Sequence, residues 1–202
     1  MKQAMRSVTP VVMVALLGGC GAMGKVGDFG RNIVEVMSGN TARKAVLEME
    51  DQDFADERRV GINYLANHKY GRQEPYTQRY EQIAQSDPDW LVRATAVRAL
   101  NRSRDKAATP VFIRALDDQS EQVRLEGAKA LVNVPDEKAV PALVRVVSNA
   151  NENRDVRIAS AEALRHYHTI EVARTLIAQL GVREFGLAWQ SRQSLKKLTG
   201  QD

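Results

Sequence analysis

The sequence is poor in several features that carry chemistry elsewhere. Its one cysteine, Cys20, excludes an internal disulfide framework and any multi-cysteine metal site. Aromatic residues make up only 5% of the chain. The positive excess is small, a formal +4 that falls to +2 without Lys2 and Arg6, which is too modest to mark a nucleic-acid binder. The apolar run Val8 to Leu17 is too short to cross a bilayer, which takes about 20 residues. No GxSxG, HExxH or phosphate-cradling glycine loop is present. What is plentiful is Ala, Val, Leu and Arg. With 44% hydrophobic and 27% charged residues in 202, the balance is that of one or two globular domains built from helices that pack through small side chains.

The chain begins MKQAMRSVTPVVMVALLGGC. Lys2 and Arg6 precede the apolar stretch, and Gly18 and Gly19 follow it, in the layout of a secretory signal peptide. Leu17-Gly18-Gly19-Cys20 resembles a bacterial lipobox, although Gly is less usual than Ala or Ser at its second position. The resemblance implies cleavage before Cys20 and lipidation of its thiol. Each buried acyl CH₂ contributes about 0.8 kcal/mol, so several chains on one residue hold a domain firmly at a membrane. Gly21 rather than Asp follows the cysteine, which in the resembled Gram-negative type implies the outer membrane, facing the periplasm. Six of the 13 glycines lie between Gly18 and Gly30, so residues 20–40 read as a flexible tether behind a leader of residues 1–19.

From residue 41 the sequence repeats. Leu65, Leu100, Leu131, Leu164 and Leu195 are spaced by 35, 31, 33 and 31 residues. Four positions before each anchor stand Gly61, Ala96, Gly127, Ser160 and Ser191, all small. Eight before stand Glu57, Val92, Val123, Val156 and Leu187, and seven before stand Arg58, Arg93, Arg124, Arg157 and Ala188. Offsets 0, −4 and −8 share one stripe of a helix, so the small column permits close approach of a neighbouring helix. Pro75, Pro110 and Pro141, ten after their anchors, open a second helical run. Asp105, Asp136 and Thr169 are placed to cap those runs. The spacing predicts a series of helical hairpins.

The segments SDPDWLVRATAVRAL, DDQSEQVRLEGAKAL and NANENRDVRIASAEAL resemble the second helix of HEAT repeats, close to the short variety of bilin-lyase-like proteins. The resemblance covers roughly 160 residues and implies an all-α, right-handed α-solenoid over residues 41–202, phased as five hairpins over about 41–67, 75–103, 109–134, 140–167 and 172–200. Glu57-Arg58 in the first hairpin and Ala188 in the fifth depart from the Val-Arg pattern. Divergence is expected in terminal repeats, where a cap needs one polar outer face.

The arginine column lies about 20° from the anchor leucines, within the apolar stripe, where a charge must be paired. The family pattern implies a ladder between repeats in which Asp87 and Asp118 pair with Arg93, Arg124 and Arg157. Asn151 and Gln52 replace the Asp in two repeats, so the ladder is expected to be incomplete there. Offsets −2, −5 and +2 are expected to be exposed. Among these, Arg98, Arg102, Lys129, Asn133, Glu162 and His166 form the candidate partner-binding face, since in the family this helix lines the concave surface. Arg79, Arg114 and Arg145, fourteen after the anchors, read as a solvated stripe that ends at Ala178, with an anionic surface as the alternative.

His166 and His168, two apart, do not share a helical face, and with His68 they make no metal site. Asp51, Asp53 and Asp56 lack the glycine and terminal glutamate of a calcium loop. Trp90 and Trp189 read as packing residues. No catalytic, metal-binding or cofactor-binding residue and no small-molecule substrate is expected. The expected function is a non-enzymatic protein-binding module or scaffold, anchored through Cys20. A bilin-lyase-like enzyme or cofactor-attachment chaperone is the alternative implied by the repeat variety, and a structural envelope spacer is a third.

Overall fold

The computed structural model describes residues 41–201. The expectations for the leader, Cys20 and the tether lie outside the described residues. Ten α-helices and short 3-10 turns account for the secondary structure, with no strand among the described residues. The helices are α1 (Ala42–Met49), α2 (Ala55–Asn67), α3 (Tyr76–Ser86), α4 (Trp90–Ser103) and α5 (Thr109–Ala115). They continue with α6 (Glu121–Asn133), α7 (Val140–Ser148), α8 (Arg154–Ala163), α9 (Ile170–Ala178) and α10 (Phe185–Thr199).

Consecutive helices pair into five hairpins. The second helices α2, α4, α6, α8 and α10 pack side by side in one layer, and the first helices lie in the other. The arrangement is an all-α solenoid. A hairpin cannot bury its apolar stripe alone, so the stability of each comes from stacking on its neighbours. No described helix is long and apolar enough to cross a membrane.

Local chemistry sets the helix starts. The Asp89 side chain accepts hydrogen bonds from the Leu91 and Val92 N–H groups, at 2.8 and 3.1 Å, and caps α4. Asn153 caps α8 and Thr169 caps α9 in the same way. Because of the Thr169 cap, α9 begins two residues before the expected 172. Asp105 and Asp136 differ from expectation. Their side chains accept from Ala107 and Lys138 N–H and cap 3-10 turns that lead into α5 and α7, while Pro110 and Pro141 sit in the first turn of those helices.

Leu65, Leu100, Leu131 and Leu164 are fully buried. Leu195 is only half-buried, because no described helix packs beyond α10. The small column faces the first helix of its own hairpin. A Cβ on Gly61 would stand 2.3 Å from the Ala45 carbonyl oxygen and 2.4 Å from the Met49 nitrogen, and one on Gly127 would stand 2.9 Å from the Ala115 Cβ. Glu57 is exposed where Val92, Val123 and Val156 are buried, which leaves that end of the stack polar at this position.

The opposite end does not fit the polar cap expected of a terminal repeat. Ile177, Phe185 and Trp189 of the fifth hairpin are 56%, 80% and 52% exposed. Trp90 is also 44% exposed, so neither tryptophan is a packing residue in the sense expected. Both stand early in a second helix, on the side turned toward the next position in the stack.

Candidate functional site

The arginine column forms a continuous ladder. Each guanidinium projects from the first turns of a second helix and reaches the turn of the following hairpin. Arg58 donates to both Asp87 carboxylate oxygens at 2.8 and 3.0 Å. Arg93 does the same to Asp118 at 2.8 Å twice, and Arg124 to Glu152 at 2.9 Å twice. Arg157 donates to Glu184 at 2.6 Å, to the Gln179 side-chain oxygen at 3.0 Å and to the Val147 carbonyl. The third nitrogen of the first three arginines donates to backbone carbonyls of its own turn: Asp51 for Arg58, Asp87 and Pro88 for Arg93, Asp118 and Gln119 for Arg124. These charges are desolvated but hydrogen-bonded at nearly every donor, the condition under which a partly buried guanidinium is tolerated.

The structure adds a direction to the expected ladder and corrects one expectation. The direction is forward, so Asp87 serves Arg58 and Asp118 serves Arg93. The gap expected at Asn151 is absent, because the adjacent Glu152 has one more methylene and reaches Arg124. Arg58, Glu152, Gln179 and Glu184 therefore join the ladder, and the one signal that pointed to any of them was the arginine of the column itself. Burial alone would push the Asp118 carboxyl up, but the Arg93 guanidinium and the Ser120 N–H outweigh it and hold it below the usual carboxylate range.

The second arginine column is not a free stripe. Arg79 donates to both Glu50 oxygens at 2.6 Å, Arg114 to Gln85, and Arg145 pairs with Asp117 at 2.6 Å. Each reaches back to the end of the preceding first helix, so the anionic-surface alternative loses its basis. These pairs stay solvent-exposed, 56% and 58% for Arg145 and Asp117, and differ in that from the ladder.

The candidate binding face lies on the second-helix layer. Offset −5 is not part of it: Thr95, Glu126 and Ala159 are buried, because the adjacent second helix covers that side. Glu126 is the residue the sequence did not single out. It is 4% exposed and accepts from Arg98 at 3.0 Å, from Gln122 at 3.3 Å and from Lys129 at 3.5 Å. One buried carboxylate thus ties Arg98 on α4 to Lys129 on α6. Asn133 donates to Asn101 across the same two helices at 3.0 Å. His166, at the end of the fourth hairpin, donates from Nε2 to the Val132 carbonyl at 3.0 Å, and Glu162 accepts from Arg165. Burial, then the nearby Arg165 charge, pushes the His166 pKa down. Arg102 is half-buried on this face, and Lys129, Asn133 and His166 remain exposed.

His68 lies in the first hairpin beside Tyr64 and Tyr70, away from the fourth-hairpin turn that carries His166 and His168. Among the described residues no group of three or more His, Cys, Asp or Glu is placed to hold a metal.

Residues 77–165 match the family of HEAT repeats. No curated protein matches the chain. Several solved structures share its fold. A chain of the complex of CpcE and CpcF of phycocyanin lyase from Nostoc sp. PCC7120 is 18% identical with a TM-score of 0.69, over 79% of this chain and 65% of that one. YibA from E. coli is 19% identical with a TM-score of 0.64, covering 79% and 62%. Human deoxyhypusine hydroxylase, solved with glycerol, is 18% identical with a TM-score of 0.56, covering 79% and 62%. The chain thus spans somewhat less than two thirds of the length of these structures, and at such identity the likeness concerns the fold. The repeat match thus concerns residues 77–165, and what the chain shares with these structures is the fold, an all-α solenoid of stacked hairpins.

Proposed function

We propose that this chain is a non-enzymatic protein-binding module, held at a membrane through lipidation of Cys20 and facing the periplasm from the outer membrane. The observation that carries the binding role is the surface of the second-helix layer. There Arg98, Lys129 and Asn133 are tied across α4 and α6 by Glu126 and Asn101, so polar groups of two repeats are held in one fixed arrangement. A preorganised polar face loses little side-chain freedom when a partner docks. The anchor rests on the lipobox resemblance at Leu17 to Cys20.

The binding role is tested by pull-down from detergent-solubilised membranes, comparing the natural chain with a Lys129→Gln/Arg102→Glu variant. Charge reversal at Arg98 is unsuitable, since it would set a second carboxylate against buried Glu126. Loss of one defined partner supports the face, whereas an identical set of partners favours a spacer and overturns it. Mass spectrometry of the N-terminal peptide tests the anchor: a chain beginning at a diacylated Cys20 is expected, and an unmodified cysteine rules the anchor out.

The likeness to a chain of the phycocyanin lyase complex favours one second reading, a lyase-like role or a chaperone of cofactor attachment. Incubation of the purified chain with a linear tetrapyrrole would give a shifted visible absorbance under that reading and an unchanged spectrum under the first.

A further inference from the structure

The repeat register shows what each position of a second helix does in the stack. Four positions on every second helix, at offsets −10, −6, −3 and +1 from the anchor, are turned toward the next hairpin. Glu121 (offset −10) accepts from Asn153 of the next hairpin at 2.9 Å. Ile158 (−6) lies so close to Gly186 that a Cβ there would stand 2.9 Å from its Cδ1. The column at −3 is Ile62, Val97, Ala128 and Ala161, all fully buried, and the Ala161 carbonyl accepts from Ser194 at 2.7 Å. Asn101 and Val132 (+1) meet Asn133 and His166 of the hairpins that follow.

On α10 the same four positions are Phe185, Trp189, Arg192 and Lys196. Their spacing of 4, 3 and 4 residues makes one continuous helical stripe. Phe185, Trp189 and Arg192 are exposed and Lys196 is half-exposed. On the first helix of the same hairpin, Ile177 stands five residues after buried Val172, as Gln85 and Asp117 stand five after buried Tyr80 and Phe112. Gln85 and Asp117 accept from the next hairpin's arginines, whereas Ile177 is apolar and open to solvent. The fifth hairpin thus turns outward an aromatic and aliphatic half followed by a cationic half. Ala188 replaces the ladder arginine here, so the face offers no guanidinium for an acidic turn of a further repeat.

We infer that this end face is a docking surface for an acidic amphipathic helix of a partner protein, laid alongside α10 as each second helix lies alongside the one before it. Apolar residues of that helix seat on Ile177, Phe185 and Trp189, and its carboxylates meet Arg192 and Lys196. The occupant is chosen by charge complementarity and by continuity with the interface repeated four times within the stack. A second copy of this chain fits less well. Its same face would set Arg192 and Lys196 against their own equivalents with the helices parallel, or against the aromatic half with them antiparallel, and in neither case against a carboxylate of the stripe, while its opposite end would bring exposed Glu57 against the aromatic half. The surface is separate from the second-helix face invoked above and does not rest on it.

The test uses the full chain in a Trp90→Phe background, so that Trp189 is the one tryptophan fluorophore. The probes are a stapled helical peptide with leucines along one face and glutamates flanking its second half, and the same peptide with every glutamate changed to lysine. Saturable quenching or blue shift with the glutamate peptide is expected, with the lysine peptide at least about tenfold weaker. The Arg192→Glu/Lys196→Glu variant is expected to reverse that order, and Lys129→Gln to leave it unchanged. Melting curves by circular dichroism verify that each variant is folded, and Arg192→Ala/Lys196→Ala provides a milder version that removes the preference without inverting it. Equal affinities, a preference that survives charge reversal, or no saturable signal from the glutamate peptide overturns the inference. So does concentration-dependent dimerisation that Trp189→Ser abolishes, since the occupant would then be a second copy.

Discussion

Arg124 and Glu152 share two parallel hydrogen bonds of 2.9 Å between consecutive hairpins, at side-chain exposures of 20% and 9%. The same guanidinium closes two further bonds to the Asp118 and Gln119 carbonyls. One side chain therefore fixes the turn of its own hairpin and the turn of the next. The ladder is a strut that holds the repeats in register, and its arginines are occupied by that task.

Arg124→Ala should lower stability by about 2 kcal/mol, because it strands Glu152 and two carbonyls at once. For a domain of this size that corresponds to a drop of about 4–8 °C in melting temperature. Arg145→Ala breaks a shorter but far more exposed pair, and should change stability by no more than about 0.5 kcal/mol. Thermal unfolding of the two variants side by side checks the contrast. Equal shifts would mean that the ladder has no special structural weight.

Gly61→Ala should destabilise the first hairpin by about 3 kcal/mol, since the added methyl meets backbone atoms of α1 that no side-chain rotation can move. Ala96→Ser at the same column position should cost far less. Hydrogen exchange of α1 and α2 amides reads the effect locally, and protection equal to the natural chain would contradict the close approach.

The pH dependence at Asp118 follows from its lowered pKa. A carboxyl held lower in the folded state than in the unfolded chain contributes stability above its unfolded value, about 3.9, and loses it as pH falls through the folded value. Acid unfolding of Arg93→Gln should therefore begin at higher pH than that of the natural chain. Coincident acid transitions would show that the Arg93–Asp118 pair does not carry the linkage.

His166 acts in the same direction but at higher pH. Burial lowers its pKa in the folded state, so the unfolded chain binds the extra proton first. Acidification below about 6.5 should then cost stability, down to the folded pKa. His166→Gln, which keeps a donor for the Val132 carbonyl, should remove this part of the pH dependence. Its measure is denaturant unfolding at pH values on either side of that range, and an unchanged pH profile would speak against it.

Much of the fold was legible because helical periodicity is local. The five anchors, the small column and the arginine column follow from spacing alone, and the hairpin boundaries fall within a few residues of those expected. Partners across hairpins were less legible. Asn151 occupies the position of the ladder acid, yet Glu152 performs its role, because side-chain length and turn geometry decide which carboxylate arrives. Glu126 escaped notice for a related reason: it is one of two glutamates on α6, and only the covering helix makes it a buried hub.

The sequence by itself determined that this chain is a row of helical hairpins with paired charges inside the stripe, since the period of the residues and the cost of an unpaired buried charge allow little else. Only the tertiary structure decided which sides of those helices are covered. Burial at a given offset depends on whether a neighbour stacks there, so Ala161 is enclosed while Arg192, at the same place in its helix, meets solvent.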